Sequence, residues 1–358
     1  MSELRPDRRT VLAGSMAAAG TLLTAATGTS ASAAEGAATS AGVPDTGTHV
    51  VTLGTAAGPA VRSPRQGIAT AVVVDGNLYV VDTGLGVVRQ IAEAELPTNR
   101  LRAILLTHLH SDHIAELPAM LLYNWGPQVD GFTEPFEVVG PAGAGALPKG
   151  YRPAVSPPTP GTREVVNNIL DSYAYDVNIR ISDEGRPPLD DLVRPREIQL
   201  PGGLSAGPRS RLAPEMEPIE VYSDDRVRVL AALVNHPPVF PSYGYRIETP
   251  DGVIALSGDT TEHPNVVTLA RDADVLVHES VYLDYYRKLG KSADFIDHLS
   301  GSHTDPAGTG RVAAKAGVGH LVLSHLAGVA TDEQWTAPVR KKYGGRVTVA
   351  NDGQVFSL

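Results

Sequence analysis

The stretch LLTHLHSDHIAELPAML, residues 105–121, places three histidines and an aspartate within six positions directly after an apolar run. Neutral imidazoles and a hard carboxylate suit zinc, with manganese or iron as alternatives. The chain contains no cysteine, which excludes disulfides, thiolate zinc sites and cysteine nucleophiles. Any metal ion must therefore use His and carboxylate ligands. The alternative is that these histidines lie in a core or on a surface with ordinary polar partners.

The surrounding pattern predicts an α/β fold. Residues 68–84, IATAVVVDGNLYVVDTG, are two β-branched runs joined by Asp75-Gly76-Asn77, which is typical of a hairpin. A helical stretch, VVRQIAEAEL, precedes the short apolar strand LRAILLTH, which delivers the histidines at its carboxyl end. Strand, hairpin and helix then recur from residue 227 onward without sequence identity between the two halves.

Further metal-type ligands follow apolar strands in the second half. His236 comes after VLAALVN, Asp259 after VIALSG and His325 after LVLS. Since each residue has the same position relative to its strand, we expect them to converge with the first cluster at one edge of a sheet sandwich.

The segment 126–218 is rich in Pro and Gly and contains one predicted helix, TREVVNNILDSYAYDV. We interpret it as an insertion over the active-site face of a single domain, residues 48–358, because long loops are usually functional lids or disordered.

The motifs THLHSDH, a lone His, SGDT and LSHL together resemble the metallo-β-lactamase superfamily. The resemblance covers roughly residues 48–358 and implies a four-layer αββα sandwich with two divalent metal ions at one edge. It implies that one ion is bound by His108, His110 and His236. It also implies that the second is bound by Asp112, His113 and His325, and that Asp259 bridges the two.

Within the superfamily, VLVHESVY and the segment GSHTDPAGTG resemble the ribonuclease Z and arylsulfatase-like branch. This resemblance implies that His303 donates a proton to the leaving oxygen and that Glu279 orients it; a surface or helix-capping histidine is the alternative. Asp82 would orient a ligand histidine or would only form a turn. His278 would support the ligands or would be a buried structural residue.

Two cations held in this way can lower the pKa of a bound water to near neutral, share the hydroxide that results and bind the oxygens of an ester. We therefore expect a hydrolase in which that hydroxide attacks and Asp112 orients it. The expected substrates are small aryl or alkyl esters of sulfate or phosphate. The alternatives are a carboxylic ester or lactone, or a metal-binding protein without turnover.

Two aromatic residues near the ligands, Trp125 and Phe240, are candidate substrate contacts, although most aromatic residues serve only in packing.

The formal charge of −10 disfavours a polyanionic partner. Residues 140–215 contain nine Lys or Arg and nine Asp or Glu, so they form no basic stripe. We therefore expect a small-molecule substrate and no nucleic acid, no stable membrane insertion, and either a monomer or a homodimer.

The amino terminus predicts export. Arg8-Arg9 precede a weakly apolar stretch that ends in Ala31-Ser32-Ala33, which fits a twin-arginine signal at residues 1–33 followed by a flexible lead-in at 34–47. The protein would then be periplasmic or extracellular. The alternative is a disordered Ala/Ser tail with a chance arginine pair.

Overall fold

The computed structural model describes residues 42–62 and 64–358. The predicted signal, residues 1–33, lies outside the described residues. Of the predicted lead-in, residues 42–47 are described and contain neither helix nor strand.

The fold contains two seven-stranded sheets. The strands of the first sheet are β1 (Thr48–Gly54), β2 (Ala69–Val74), β3 (Asn77–Val81), β4 (Leu101–Leu105), β5 (Phe136–Pro141), β6 (Val193–Ile198) and β14 (Gln354–Ser357). The strands of the second sheet are β7 (Ile219–Ser223), β8 (Arg228–Leu233), β9 (Tyr243–Thr249), β10 (Gly252–Leu256), β11 (Val275–Val281), β12 (His320–Ala327) and β13 (Arg346–Val349).

Helices pack on the outer faces of both sheets. They are α1 (Val87–Glu93), α2 (Ser111–Ile114), α3 (Leu117–Tyr123), α4 (Thr162–Ser172), α5 (Ala174–Glu184), α6 (Leu189–Leu192), α7 (Pro264–Leu269), α8 (Leu283–Lys288), α9 (Ala293–Ser302), α10 (Pro306–Ala316) and α11 (Asp332–Arg340). Within the described ranges, no helix is both long enough and apolar enough to span a membrane.

The order of the strands shows the same arrangement in both sheets. The first sheet runs β14-β1-β2-β3-β4-β5-β6 and the second β13-β12-β11-β10-β9-β8-β7. In each sheet, antiparallel strands are followed by parallel ones: β3 to β6 are parallel, as are β10 to β13. The hairpin between β2 and β3 turns at Asp75 and Gly76, which both have positive φ, as a two-residue turn requires.

Three apolar layers hold the sandwich together. One lies between the sheets and includes Val72 and Val229; the second packs helices such as α1 and α3 on the first sheet. The third packs α7, α10 and α11 on the second sheet. Burying one such aliphatic side chain contributes about 1.5–3 kcal/mol, so these layers fix the sheets face to face. The predicted αββα sandwich is confirmed.

The insertion prediction for residues 126–218 is wrong in part. The segment supplies β5 and β6, which extend the first sheet by parallel pairing to β4. Strand β6 was missed because it reads VRPREI, with three charges and Pro195. An edge strand tolerates a proline because one of its sides has no pairing partner. The predicted single helix is two helices, α4 and α5, which are separated at Tyr173.

Candidate metal centre

The first ligand cluster lies on the turn between β4 and α2. His108 is fully buried, His110 occupies the N-cap position of α2, and Asp112 and His113 belong to its single turn. The His113 backbone N–H donates to the His110 carbonyl at 3.0 Å, which closes the turn. Four side chains from six consecutive residues therefore lie close together beyond the carboxyl end of β4.

The other three ligand candidates come from the second sheet. His236 lies three residues beyond β8, and Asp259 lies three beyond β10, after Gly258 in the left-handed region at φ 58. His325 lies inside β12, not after it: Glu279 pairs with Ser324 while Ser280 pairs with Leu326. His325 is therefore the extra residue of a β-bulge, with φ 42, and a bulge redirects a side chain out of the ladder.

These residues form two adjoining groups. In the first, the nitrogens of His108, His110 and His236 lie within 4.8 Å of one another, and His236 Nε2 is 3.4 Å from His110 Nδ1. In the second, Asp112 Oδ2 lies 3.7 Å from His113 Nε2 and 3.5 Å from His325 Nε2.

Asp259 lies between the two groups. Its Oδ2 is 4.0 Å from His108 Nε2, 3.8 Å from His236 Nε2 and 3.4 Å from His113 Nε2. Its Oδ1 is 3.4 Å from His325 Nε2. One carboxylate can therefore contact a cation in either group.

The unpaired atoms of the cluster fit metal ions. His108 Nε2, His113 Nε2, His325 Nε2 and Asp259 Oδ1 are buried and have no hydrogen-bond partner in the described part of the chain. A buried polar atom without a partner costs about 1–3 kcal/mol, and a bound cation removes that cost. Five imidazoles and two carboxylates without a thiolate suit divalent ions. Their role as ligands is a prediction that the geometry supports.

The electrostatics of His236, His108 and Asp259 also favour ligation, whereas at His113 burial is outweighed by the carboxylates of Asp259 and Asp82, which raise its pKa well above the usual value. Burial lowers the pKa of His236 to about 3 and holds the pKa of His108 well below its usual value, so both rings are neutral at neutral pH. Burial would raise the pKa of Asp259, but the neighbouring His325 and His113 outweigh it and lower that pKa well below its usual value. Neutral imidazoles and ionised carboxylates are the forms that bind metal ions.

Asp82 holds His113 and the turn in place. This residue follows β3 with φ 60 and is buried. Its carboxylate accepts hydrogen bonds at 2.8 Å from the Thr107 backbone N–H, the Thr107 hydroxyl and His113 Nδ1. A proton on His113 Nδ1 leaves Nε2 free to bind a metal ion.

His303 and Glu279 form a pair beside the cluster. His303 Nδ1 lies 3.1 Å from Glu279 Oε1, which also accepts from the backbone N–H groups of Thr260 and Thr304. The ring of His303 is centred 5.0 Å from that of His236. Burial would lower the pKa of His303, but the Glu279 carboxylate outweighs it and raises that pKa to about 9.

Comparison with known proteins agrees with this geometry. The family model described as the metallo-beta-lactamase superfamily matches residues 62–129. Ribonuclease Z of Mycobacterium bovis is 31% identical over 291 residues, which cover 80% of this chain and 90% of that protein. This chain belongs to the metallo-beta-lactamase superfamily. Within the superfamily it lies in the ribonuclease Z branch, and both assignments confirm the predicted resemblance.

Solved structures of the metallo-beta-lactamase fold agree with the architecture. Human tRNase Z, short form, is 22% identical and superposes with a TM-score of 0.57, over 86% of this chain and 98% of that one. The metallo-beta-lactamase fold protein YhfI from Bacillus subtilis is 17% identical with a TM-score of 0.57, over 87% of this chain and 99% of that one. At these identities the similarity shows the fold alone.

Membership in this metal-dependent hydrolase superfamily overturns one expectation. The prediction that nucleic acid is not a partner is wrong, because relatives that match most of the chain are named ribonuclease Z. That prediction rested on the net charge and on a missing basic stripe. Neither feature excludes a polyanion whose phosphate is held by metal ions at the site itself.

The structure places only one of the two aromatic candidates, Trp125 and Phe240, beside the site. Trp125 is fully buried in the layer under the first sheet, where its Nε1 donates to the Pro187 carbonyl at 2.9 Å. The guanidinium of Arg186 lies 5.2 Å from its ring. Its predicted substrate contact is therefore wrong, since closeness in sequence to a ligand does not mean closeness to the site. Phe240 is half-buried and lines a cavity that also includes His110.

The structure also places His278 and shows contacts around the site that the sequence did not indicate. His278 is fully buried, and its Nδ1 lies 2.7 Å from the Glu279 carbonyl oxygen, so it contacts the strand backbone. The Ser302 carbonyl lies 2.9 Å from His236 Nδ1 and fixes that ring, but no sequence pattern marks a backbone acceptor. Thr107, immediately before the first histidine, is the one missed contact that the THLHSDH motif could have indicated.

Proposed function

We propose that this chain hydrolyses phosphodiesters with two divalent cations, and the His and carboxylate donors suit Zn²⁺. The observation that carries the proposal is the His303–Glu279 pair, which places an imidazole at the edge of the ligand cluster beside a carboxylate that raises its pKa to about 9. A phosphodiester expels an alkoxide or phenoxide, which needs a proton in the transition state. Small aryl diesters and RNA both contain such a bond, and the name of the relatives supports the second.

The residues that would hold one cation are His108, His110 and His236, those that would hold the other are Asp112, His113 and His325, and Asp259 would contact both. When bound, such cations lower the pKa of a water to about 7 and neutralise phosphoryl oxygens. Asp112 is suited to orient that water, because the Gly58 backbone N–H donates to its Oδ2 at 2.9 Å and fixes the carboxylate.

His303 is placed to complete the reaction as a general acid. Its Nδ1 is held by Glu279, so Nε2 is the atom that donates a proton to the leaving oxygen. The side chain is 11% exposed, which leaves it in contact with the site while Glu279 is almost entirely buried. A lactone opens to an alkoxide that stays attached to the product, and that reaction does not require this acid.

Kinetics with leaving groups of different basicity tests the assignment. We expect His303→Asn to lower kcat/KM by about 10²- to 10⁴-fold for phenyl or alkyl leaving groups, and much less for p-nitrophenyl, which leaves without a proton. The kcat/KM values of the wild type for p-nitrophenyl sulfate, p-nitrophenyl acetate and a homoserine lactone, compared with those for the phosphodiesters, define the substrate class. Equal losses on every leaving group would contradict the role of His303, and a preference for the lactone would contradict the substrate class.

We also propose that the protein is exported through a twin-arginine route. The support is Arg8-Arg9 and the small-residue site at residues 31–33. Fractionation of cells that express the full chain tests this: the wild type should leave the cytoplasm, and the double variant Arg8→Lys, Arg9→Lys should not. Retention of both proteins in the cytoplasm would contradict export.

A further inference from the structure

An apolar cavity adjoins the metal centre at His110. Its volume is about 320 Å³, and it lies between the segments 141–160 and 238–241, with Pro208 also on its wall. Its larger apolar and aromatic side chains are Leu109, Leu147, Tyr151 and Phe240, and most of the remaining wall is proline and alanine. The ring of His110 is exposed, so the cavity and the ligand cluster share one wall.

The chemistry of this wall selects for an uncharged group. Among the described residues that line it there is no Lys, Arg, Asp or Glu, and the ionisable members are His110 and Tyr151. A phosphate or carboxylate placed there would lose its hydration without gaining a counter-charge, which is strongly unfavourable. The volume is at the lower end of that of small-ligand sites, which suits one substituted ring.

A second cavity, of about 310 Å³, adjoins the centre at His303 and differs in character. Its wall includes Glu262, Asp305 and Arg311. Arg311 Nε lies 2.7 Å from Glu262 Oε2, so the wall contains an ion pair. The proposed general acid lines this polar cavity and does not line the apolar one.

We propose that each of the two cavities accommodates a different ester group of the substrate. The apolar cavity binds an uncharged aryl group that remains on phosphorus, and the leaving group faces the polar cavity, where His303 protonates it. This inference rests on the proposed phosphodiesterase function. It makes Phe240 a specificity-determining residue for the group that is retained.

Substrates that share one leaving group test the proposal. We expect the Zn²⁺-loaded wild type to prefer phenyl p-nitrophenyl phosphate to methyl p-nitrophenyl phosphate by about 10- to 100-fold in kcat/KM, from burial of the phenyl ring. Phe240→Ala should bring that ratio toward one. Tyr175→Ala removes a ring that is 83% exposed on α5 and outside the cavity, and it should keep the wild-type ratio.

A second series varies the leaving group and keeps a methyl group on phosphorus. Phe240→Ala should affect methyl p-nitrophenyl phosphate and methyl 4-methylumbelliferyl phosphate equally. The proposal is overturned if the wild type does not distinguish phenyl from methyl, or if Phe240→Ala acts on the leaving group instead.

Binding of phosphonates separates this proposal from the proposed function. Calorimetry of the Zn²⁺-loaded chain should show tighter binding of phenylphosphonate than of methylphosphonate, and Phe240→Ala should remove the difference. A chain that binds in this way without phosphodiester turnover would refute the proposed function and retain the cavity assignment. Equal affinities for the two phosphonates would refute the cavity assignment.

Discussion

Replacing Asp82 by Asn tests how the second metal group is assembled. Both side chains have the same shape, and the amide oxygen can still accept from the Thr107 backbone N–H, as Asp82 Oδ1 does at 2.8 Å. The other oxygen, which accepts from the Thr107 hydroxyl and from His113 Nδ1, becomes an NH₂ donor. The Thr107 hydroxyl can rotate to accept. His113 can accept at Nδ1 only if its proton moves to Nε2, the atom that faces Asp112 and Asp259.

The expected effect is on metal affinity more than on the fold. Loss of a partner that orients a ligand histidine typically weakens metal binding 10- to 100-fold, which corresponds to about 1.4–2.7 kcal/mol. One misplaced hydrogen bond in this buried site costs the metal-free protein about 1–3 kcal/mol of unfolding free energy. The metal-free chain should therefore fold with a lower midpoint of denaturation.

Competition with a chromophoric chelator at neutral pH measures the dissociation constants. Asp224→Asn is the control, because Asp224 Oδ2 also accepts two hydrogen bonds, from the hydroxyls of Tyr79 and Tyr222, at 2.8 and 2.9 Å. We expect it to lower stability and to leave metal affinity unchanged. Wild-type affinity in a folded Asp82→Asn variant would refute the ligand role of His113 or its orientation by Asp82.

Three further predictions follow from single contacts. The imidazolium of His303 is present below its pKa of about 9 and lost above it, so kcat/KM for phenyl leaving groups should fall as pH rises through about 9. Glu279→Gln removes the charge that raises this pKa and should move the fall to lower pH; an unchanged pH–rate profile would exclude His303 as the acid. Trp125→Phe should lower the unfolding free energy by about 1–3 kcal/mol through loss of its buried hydrogen bond and leave kcat/KM within about twofold of wild type; a large loss of turnover would restore Trp125 to the site. In Gly58→Ala the new Cβ would meet the side chain of Asp112, so turnover should fall about tenfold or more in a folded protein, as measured by steady-state kinetics beside circular dichroism; wild-type turnover would show that the position of Asp112 does not matter.

The sequence predicted most of the sandwich because the decisive signals are local. Apolar runs such as those of β4 and β10 mark buried strands, and the turn at Asp75-Gly76 marks the hairpin between β2 and β3. Strand β6 was missed for a physical reason: an edge strand is only half covered, so its pattern of charges and proline resembles that of a loop.

Convergence of the candidate ligands was predictable from their positions after strands, with one exception. His325 reaches the cluster only because β12 has a bulge, and a register shift depends on the neighbouring strand. Contacts made by backbone atoms, such as the Ser302 carbonyl with His236, depend on tertiary packing and leave no residue-type signal.

The aromatic candidates show that closeness to a ligand in sequence does not predict closeness to the site. Trp125 lies two residues beyond α3, the helix that follows the ligand turn, and is buried in the layer beneath the sheet. Phe240 follows His236 and lines the cavity next to His110. The expectation about nucleic acid failed for a related reason, since total charge does not describe the field at a site that binds cations.

Anomalous X-ray scattering at the zinc edge, from crystals grown with Zn²⁺, tests the central claim most directly. We predict two peaks about 3.5–4 Å apart, one bound by His108, His110 and His236, the other by Asp112, His113 and His325, with Asp259 in contact with both. The nitrogens should lie about 2.0–2.1 Å from the ions. No peak at this cluster, or peaks only at other surface histidines, would contradict the account.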